Sequence, residues 1–435
     1  MSWRRYTYGL LAAEIAATAR WLDALVERPG AAPANPLLLQ MVERACGPRA
    51  ATDARPAAGG SGERTAYLLN GTLNHSDDIE GLLVELKRSL DRADRVVAVL
   101  YNPYLEWLYR IAGRLGIRSG PLPTTFVTMR GLRTLARLAG YDLVRYRPTA
   151  YVPWRLLGIG SLLNRLLPTI PLLRHLSLAG VATLRPVLPT AARPSLSVIV
   201  PARNEAGNVA DALARMPDLG AQVEVIFVEG HSSDGTWEAI EKARAEYRGP
   251  CRVLALRQSG VGKADAVRLG FEHATGELVT ILDADLTMPP ELLPRFYEAW
   301  RAGLGDFVNG DRLMYPMEAD AMRFLNRLGN VFFAKALGYV LDAPIGDSLC
   351  GTKLLARADW LRCRRWRAEF GDFDPFGDFE LLFPAAVMGL GIQDVPVRYR
   401  ERTYGATNIQ RFRHGWMLLR MTATGFFRLK LGRIP

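Results

Sequence analysis

The stretch Gly276-Glu-Leu-Val-Thr-Ile-Leu-Asp-Ala-Asp-Leu-Thr-Met-Pro-Pro-Glu291 decides how this chain is read. Residues 278–282 form a short apolar run rich in β-branched residues. A glycine precedes the run, and two carboxylates and a Pro-Pro pair follow it, which is the pattern of a buried strand running out into a loop. Asp283 and Asp285 therefore stand at the strand's end. Two carboxylates one residue apart at the edge of a core either sit in water or share a cation.

Working outward, the same pattern recurs upstream. Leu196-Ser-Val-Ile-Val reads as a strand that runs into Pro201-Ala-Arg-Asn-Glu-Ala-Gly-Asn, with a helix over 209–216. Val223-Glu-Val-Ile-Phe-Val reads as a second strand, ending in Glu229-Gly-His-Ser-Ser-Asp-Gly-Thr, with a helix over 237–247. Val253-Leu-Ala-Leu reads as a third, followed by Gly260-Val-Gly-Lys and a helix. Strands alternating with amphipathic helices predict a doubly wound α/β sheet, and polar residues gathered after successive strands mark the edge where such sheets bind ligands. Acids at two strand ends suit the hydroxyls and ring N–H groups of a nucleoside. Lys263 and helix N-termini suit a diphosphate, and Asp283 with Asp285 suits the divalent ion that neutralises it. Each piece alone has a bland reading: Asp234-Gly-Thr as a helix cap, Asp-Ala-Asp as chance, Gly-x-Gly-Lys as a common turn. Their order and spacing carry the inference.

Residues 195–410 resemble the family-2 glycosyltransferases of GT-A fold, and within them the dolichyl- or polyprenyl-phosphate mannosyl- and glucosyltransferases. The resemblance rests on Val200-Pro-Ala-Arg-Asn-Glu, Val228-Glu-Gly-His-Ser-Ser-Asp-Gly-Thr, Gly262-Lys-Ala-Asp-Ala, Asp283-Ala-Asp-Leu-Thr-Met-Pro-Pro-Glu and Val397-Arg-Tyr-Arg-Glu-Arg-Thr-Tyr-Gly-Ala-Thr-Asn. It implies a GT-A fold, with nucleotide-sugar binding at Pro201, Ala202, Glu205, Glu229, Asp234 and Asp283. It also implies a metal, Mg2+ or Mn2+, at Asp285 with Asp283 as a second ligand. The chain departs from the family pattern in three places. Glu229-Gly230 stands where a carboxylate pair is usual, which leaves uracil or guanine open as the base. Arg203 replaces an aromatic residue. Thr287 replaces a glutamine, which leaves a third protein metal ligand open.

Downstream, Asp306-Phe-Val-Asn-Gly-Asp-Arg reads as a further strand with Arg312 at its end, and residues 323–338 read as an amphipathic helix. Asp347-Ser-Leu-Cys-Gly-Thr-Lys matches the loop that flanks the reaction centre in the family. Asp378 and Glu380 open the next helix. Transfer to a hydroxyl needs a carboxylate base, for which these two are the candidates, against a plain helix-start acid favoured by the dipole. Transfer to a phosphate needs no base, and Arg312 and Arg402 would then orient phosphates through their paired donors.

The N-terminal half is less decided. A helix is expected over residues 5–28, and 47–62 has the Ala, Pro, Gly and Arg composition of a flexible linker. Residues 66–150, through Leu73-Asn-His-Ser-Asp-Asp-Ile-Glu, Val96-Val-Ala-Val-Leu-Tyr-Asn and Met129-Arg-Gly-Leu-Arg-Thr-Leu-Ala, resemble the C-terminal half of a class I S-adenosylmethionine methyltransferase. The strand and glycine loop with which that family holds its cofactor are not expected ahead of them, so the region reads as a degenerate α/β remnant. Residues 151–190 are apolar but studded with Pro and Arg. They fit amphipathic helices lying on a membrane or an ordinary interdomain pair. The expected division is 1–62, 63–150, 151–190, 191–410 and a basic amphipathic tail, 411–435. The tail's Arg411, Arg413, Arg420, Arg428, Lys430 and Arg433 are interleaved with Trp416, Leu418, Phe426 and Phe427, a membrane-surface pattern that also suits packing against the N-terminal region.

The totals agree with this organisation. At 435 residues, 49% hydrophobic, the chain predicts two or three domains with ample core. A net charge of +11 favours an anionic partner. Cys46, Cys251, Cys350 and Cys363 form no CxxC pair, which points to reduced thiols, and no uncharged window long enough to span a bilayer is found. The expectation is a peripheral enzyme at the cytoplasmic face of a membrane: an inverting, metal-dependent transferase that moves a hexose from UDP- or GDP-hexose to a polyprenyl phosphate. Its rivals are transfer to a glycan hydroxyl and a non-catalytic nucleotide-sugar scaffold. Nucleic-acid binding explains the charge but not the carboxylates.

Overall fold

A computed structural model describes residues 3–28, 36–46, 64–117, 121–315, 324–371, 377–402, 404 and 411–432. The linker expected at 47–62 lies outside them. The chain divides into two compact units: Met1–Leu188 with Val387–Gly389 and Phe426–Pro435, and Pro189–Ala386 with Leu390–Gly425.

The first unit is built on a sheet of five strands, β1 (Ala24–Glu27), β2 (Thr65–Leu69), β3 (Arg95–Tyr101), β4 (Tyr141–Thr149) and β5 (Ala179–Pro186), in the order β1-β2-β3-β5-β4. The first three are parallel, and β5 lies antiparallel between β3 and β4. Strands β2 and β3 are buried along nearly their whole length because helices cover both faces. Leu11, Ile15, Leu38 and Val42 of helices Trp3–Ala19 and Pro36–Cys46 pack on Leu68, Val97 and Val181. Leu83 and Leu132, from helices Ile79–Lys87 and Met129–Leu138, pack on Tyr67, Val96 and Leu184. Asp78 and Thr128 cap those two helices, accepting from Gly81 N at 2.8 Å and Gly131 N at 3.1 Å.

Two expectations change here. The helix expected over 5–28 stops at Ala19, and Ala24–Glu27 is a strand, so a strand does precede the methyltransferase-like region. Leu22 and Leu25 fit helical spacing, but the ladder Ala24↔Thr65 to Glu27↔Leu68 pairs residues about 40 positions apart, a partner that local periodicity cannot reveal. Residues 29–35, between β1 and the helix Pro36–Cys46, lie outside the described ones. The connector expected over 151–190 is helical only to Leu176; its end is β5, a central strand.

The basic tail is not one free helix. Helix Arg411–Gly425 buries Leu418 and Met421 in the second unit and packs on helix Phe324–Leu341. The turn Phe426–Leu431 belongs to the first unit, where Leu429 and Lys430 are buried and Arg147 donates to Leu429 O at 3.0 Å. The side chains of Arg411, Arg413 and Arg433 lie outside the described residues.

The second unit holds a mixed sheet of seven strands: β6 (Leu196–Ala202), β7 (Val223–Glu229), β8 (Arg252–Arg257), β9 (Leu278–Ile281), β10 (Phe307–Asp311), β11 (Lys353–Ala356) and β12 (Ile392–Pro396), ordered β12-β10-β11-β9-β6-β7-β8. The block β9-β6-β7-β8 is parallel, as the alternation of strands and helices predicts. β11 runs antiparallel to both β9 and β10. Leu196, Val198 and Val200 alternate onto one core with Val225, Phe227 and Phe296. Ile199 faces the other way, toward helix Lys263–His273. That helix lies so close that a Cβ on Gly270 would sit 2.6 Å from Ile199 Cγ2. Gly270→Ala is expected to overpack this contact and lower stability by about 1–3 kcal/mol in urea unfolding.

Candidate active site

Strands β9, β6 and β7 are neighbours, so the loops leaving their carboxyl ends share one edge of the sheet. The loops are tied to one another. Gly230 N donates to Ala202 O at 2.9 Å, Glu205 N to Thr236 Oγ1 at 3.0 Å, and Ser233 N to Asn204 Oδ1 at 2.8 Å. Asn204, His231 and Leu286, one in each loop, have φ of 56°, 60° and 53°. Left-handed backbone costs a non-glycine residue roughly 1–2 kcal/mol, and such strain clusters where loops are shaped for function.

Nine of the residues singled out from sequence stand at this edge: Pro201, Ala202, Glu205, Glu229, Asp234, Lys263, Asp283, Asp285 and Arg402. Arg402 bridges two acids, its Nη1 3.0 Å from Glu205 Oε1 and its Nη2 2.6 Å from Asp285 Oδ2. Asp285 Oδ1 accepts from Thr287 Oγ1 at 2.8 Å and Thr287 N at 3.1 Å. The residue that departs from the family pattern, Thr287, thus orients the carboxylate of Asp285. Asp283 pairs with Lys263. Burial works against charge on both, but Lys263 beside Asp283, with Lys353 and Arg312 nearby, holds the Asp283 carboxyl below its usual range; Asp283, Asp378 and Asp285 hold the Lys263 ammonium above its own. Burial raises Glu205, opposed by Arg402 and Asn208. Burial also opposes ionisation of Asp234, but Oδ1 accepts from Thr236 Oγ1 at 2.5 Å and Oδ2 from Ala206 N and Tyr404 Oη, which keeps the carboxyl low. Pro201 and Ala202 end β6, and Glu229, buried at the end of β7, accepts from Ser232 N at 2.5 Å.

Three expected roles change. Arg312 is turned onto Asp347 by two bonds, Nε to Oδ2 at 2.6 Å and Nη2 to Oδ1 at 3.0 Å, and lies over the Tyr399 ring; with Asp347 fully buried, this is an internal ion pair and not a free phosphate clamp. Glu380 is buried between Arg268 at 3.4 Å and Arg367 at 3.3 Å, so its carboxylate is shared by two guanidinium groups of the chain. Asp378 precedes helix Phe379–Val387, and its Oδ1 lies 2.5 Å from Nζ of Lys353, whose side chain has no exposure. It is the counter-ion of a buried lysine.

Sequence reasoning passed over the roles of Lys353, Asp347 and Gly351, although all three lie in the loop motif beginning at Asp347. A Cβ on Gly351 would collide with Asp283 Oδ2 and Lys263 Nζ, so glycine lets the backbone approach that pair. Among the described residues, no group of three or more His, Cys, Asp or Glu side chains is arranged to hold a metal. The donor set still fits a hard divalent ion. Asp283 and Asp285 are oxygen ligands that retain partial exposure, and each is neutralised by a cation of the chain's own.

Paired acids, a lysine and an arginine thus stand together at the strand edge where open α/β sheets bind their ligands. Residues 197–364 match the family described as glycosyl transferase family 2. The dolichyl-phosphate hexose transferase of Haloferax volcanii is 31% identical over 221 residues, covering 51% of this chain and 89% of that protein. The low-salt glycan biosynthesis hexosyltransferase Agl6 of the same organism is 27% identical over 234 residues, 52% of each. A mannosyltransferase of Pyrobaculum calidifontis, solved in complex with GDP-Man and Mn2+, aligns at 22% identity over 55% of this chain and 65% of its own, with a TM-score of 0.36. The chain belongs to glycosyl transferase family 2, and it spans about half the length of Agl6.

Beside the site, Asp394 on β12 accepts from Asn309 Nδ2 at 2.8 Å and Gly346 N at 2.7 Å, and burial pushes its carboxyl up to about 6. A carboxyl raised in the fold contributes stability below its unfolded pKa and loses it as pH rises through the folded value. Stability is therefore expected to fall by on the order of 2 kcal/mol between about pH 4 and pH 7 from this group. Asp394→Asn should flatten that part of the slope in denaturant titrations across the range.

Proposed function

We propose that the chain is an inverting, metal-dependent transferase that moves a hexose from a nucleotide diphosphate sugar to a polyprenyl phosphate, working as a peripheral protein at an anionic membrane surface. The observation that carries this reading is the matching of Asp283 and Asp285 by Lys263 and Arg402, cations brought from two other parts of the chain. They give the edge a balanced set of charges into which a diphosphate and its cation fit. Glu205, Glu229 and Asp234 are positioned for the nucleoside, and the relatives named as dolichyl-phosphate hexose transferase and dolichol-phosphate mannosyltransferase support a lipid-phosphate acceptor.

The Asp378–Lys353 pair favours phosphate over hydroxyl as acceptor. A base must face the acceptor's proton, and Asp378 Oδ1 is already engaged at 2.5 Å by the ammonium of Lys353, whose side chain is fully buried. A phosphate acceptor arrives already ionised and asks nothing of Asp378. Lys263 and Arg402 remain for the phosphates. A divalent ion held by Asp285 and Asp283 would supply charge stabilisation for the departing diphosphate. The chain's own residues orient the donor: Thr287 fixes Asp285, and Gly351 admits the backbone beside Asp283. Among the described residues, no helix is long and apolar enough to cross a membrane. The methyltransferase-like region is read as structural, and titration with S-adenosylmethionine is expected to give no binding heat in calorimetry.

Transfer of labelled hexose from UDP- and GDP-sugars to a short-chain polyprenyl phosphate, with and without manganese, tests the reading. Asp285→Ala is expected to lower transfer on the order of 100-fold or more with an unchanged circular dichroism spectrum. Near-normal turnover in that variant removes the metal role. Asp378→Asn is expected to lower the melting temperature while leaving kcat of the folded fraction nearly intact. A collapse of kcat in that variant would point to a hydroxyl acceptor.

A further inference from the structure

The first unit exposes an apolar surface that its own core does not explain. After β4 the chain makes short helical turns at Leu156–Gly158, Leu167–Thr169 and Pro171–Leu176 around one helix, Ile159–Leu166. In that helix the usual polarity is reversed: Ile159, Leu162 and Leu166, at i, i+3 and i+7, share one face and are all exposed. Trp154 stands beside them. Leu157 is fully exposed and Leu172 is 86% exposed. Leu156 and Leu157 also hold left-handed backbone, with φ of 46° and 53°, at the tip of the surface. A soluble protein rarely leaves so much contiguous apolar area in water without a partner for it.

The surface is built, not frayed. The Asn164 side chain accepts from Tyr151 N at 2.7 Å and Val152 N at 3.0 Å, and donates to Val152 O and Tyr6 Oη. Tyr6 Oη lies 3.0 Å from Ser161 Oγ. At the other end, Asn102 Nδ2 donates to His175 O and Ser177 O, both at 2.6 Å, and the Tyr104 ring meets His175 edge-on. These buried-side bonds hold the leucines outward. Tyr104 and Trp107, both exposed, extend the patch with the amphipathic aromatics that favour a lipid–water boundary.

Charge selects the partner. From Leu143 to Asn204 the sequence has no Asp or Glu, whereas Arg155, Arg174 and His175 are interspersed with the exposed leucines, and Arg165, also exposed, donates through Nε to Leu431 O. A second copy of this surface would set arginine against arginine, so self-association across it is opposed. An anionic bilayer offers hydrocarbon for the leucines and phosphates for the guanidinium groups, whose apolar stems can lie along the same face. Eight helical residues reach roughly 12 Å against a hydrocarbon core of roughly 30 Å, so the helix lies in the interface plane. We infer that residues 154–176 of the first unit, through outward Leu157, Ile159, Leu162 and Leu172, form the surface by which the protein docks on an anionic lipid bilayer. This deepens the proposed function by assigning its membrane contact to this surface and not to the basic tail.

The test is flotation of the full chain with vesicles of phosphatidylcholine alone and with added phosphatidylglycerol, in the absence of donor. Leu157→Glu with Leu172→Glu changes side chains that water already surrounds, so the fold and melting temperature should hold. Binding to phosphatidylglycerol vesicles is expected to fall on the order of tenfold or more in this variant and to persist in Trp416→Ala. Unchanged binding in the double variant, or loss in Trp416→Ala alone, overturns the assignment, as does a wild-type dimer that the double variant dissociates. Transfer to a short-chain, water-soluble polyprenyl phosphate separates the two readings. If it is intact while wild type ignores vesicles, only the docking inference fails; if wild type binds vesicles and transfers nothing, only the proposed reaction fails.

Discussion

Two carboxylates at the end of β9, one residue apart, constrain everything else at the binding edge. Asp283 and Asp285 are each met by a cation, and the chain supplies the two from different directions. Lys263 comes from the start of a helix on the same sheet, and Arg402 from the segment after β12. Arg402 also reaches Glu205 behind β6, so one guanidinium links two strand-end loops. The helix start, the β6 loop and the post-β12 segment are thereby held by the same electrostatic demand. A surface ion pair contributes little to stability, but a partly desolvated, connected set fixes positions because removing one member leaves another charge uncompensated.

The same pairing occupies the acids beside the site, two of which, Asp378 and Glu380, look catalytic in sequence. Glu380 is shared by Arg268 and Arg367, Asp347 is enclosed with Arg312, and Asp378 neutralises Lys353. The active edge is ringed by ion pairs that are already closed. Among the described residues, the Asp283–Lys263 and Arg402–Asp285 pairs combine partial exposure with a position at the ends of the parallel strands.

The parallel block was legible because its signal is local. Apolar runs of four to seven residues bounded by polar turns gave β6, β7, β8 and β9 within a residue or two, and the clustering of Glu205, Asp234, Lys263, Asp283 and Asp285 follows from strand adjacency. What was not legible depends on partners far apart in sequence. β1 exists because Ala24 pairs with Thr65, and β5 was hidden in a connector that reads as helical because its partners β3 and β4 lie well upstream. Arg312 reads as a free phosphate ligand until Asp347 is seen against it. Residue type announced that a charge was present; only the fold assigned its partner.

The antiparallel strand β11 shows why the sheet is mixed at the site. A parallel strand brings only the loop that follows it to the carboxyl edge. Running against β9, with Leu354 opposite Thr280, β11 delivers the loop that precedes it, so residues 347–352 arrive at the edge where Asp283 emerges. Asn309 opposite Lys353 fixes the register on the other side, and Asn309 Nδ2 ties that loop through Asp347 O at 2.8 Å. Gly351 can then lie against Asp283 and Lys263, and Lys353 can turn to Asp378. A shift of one residue in this ladder would exchange the two faces of β11 and send Lys353 away from Asp378, leaving both charges buried alone. The register of a four-residue strand is thus held by the ion pair that it positions, and the loop before β11 meets the loop after β9 because that strand runs backwards.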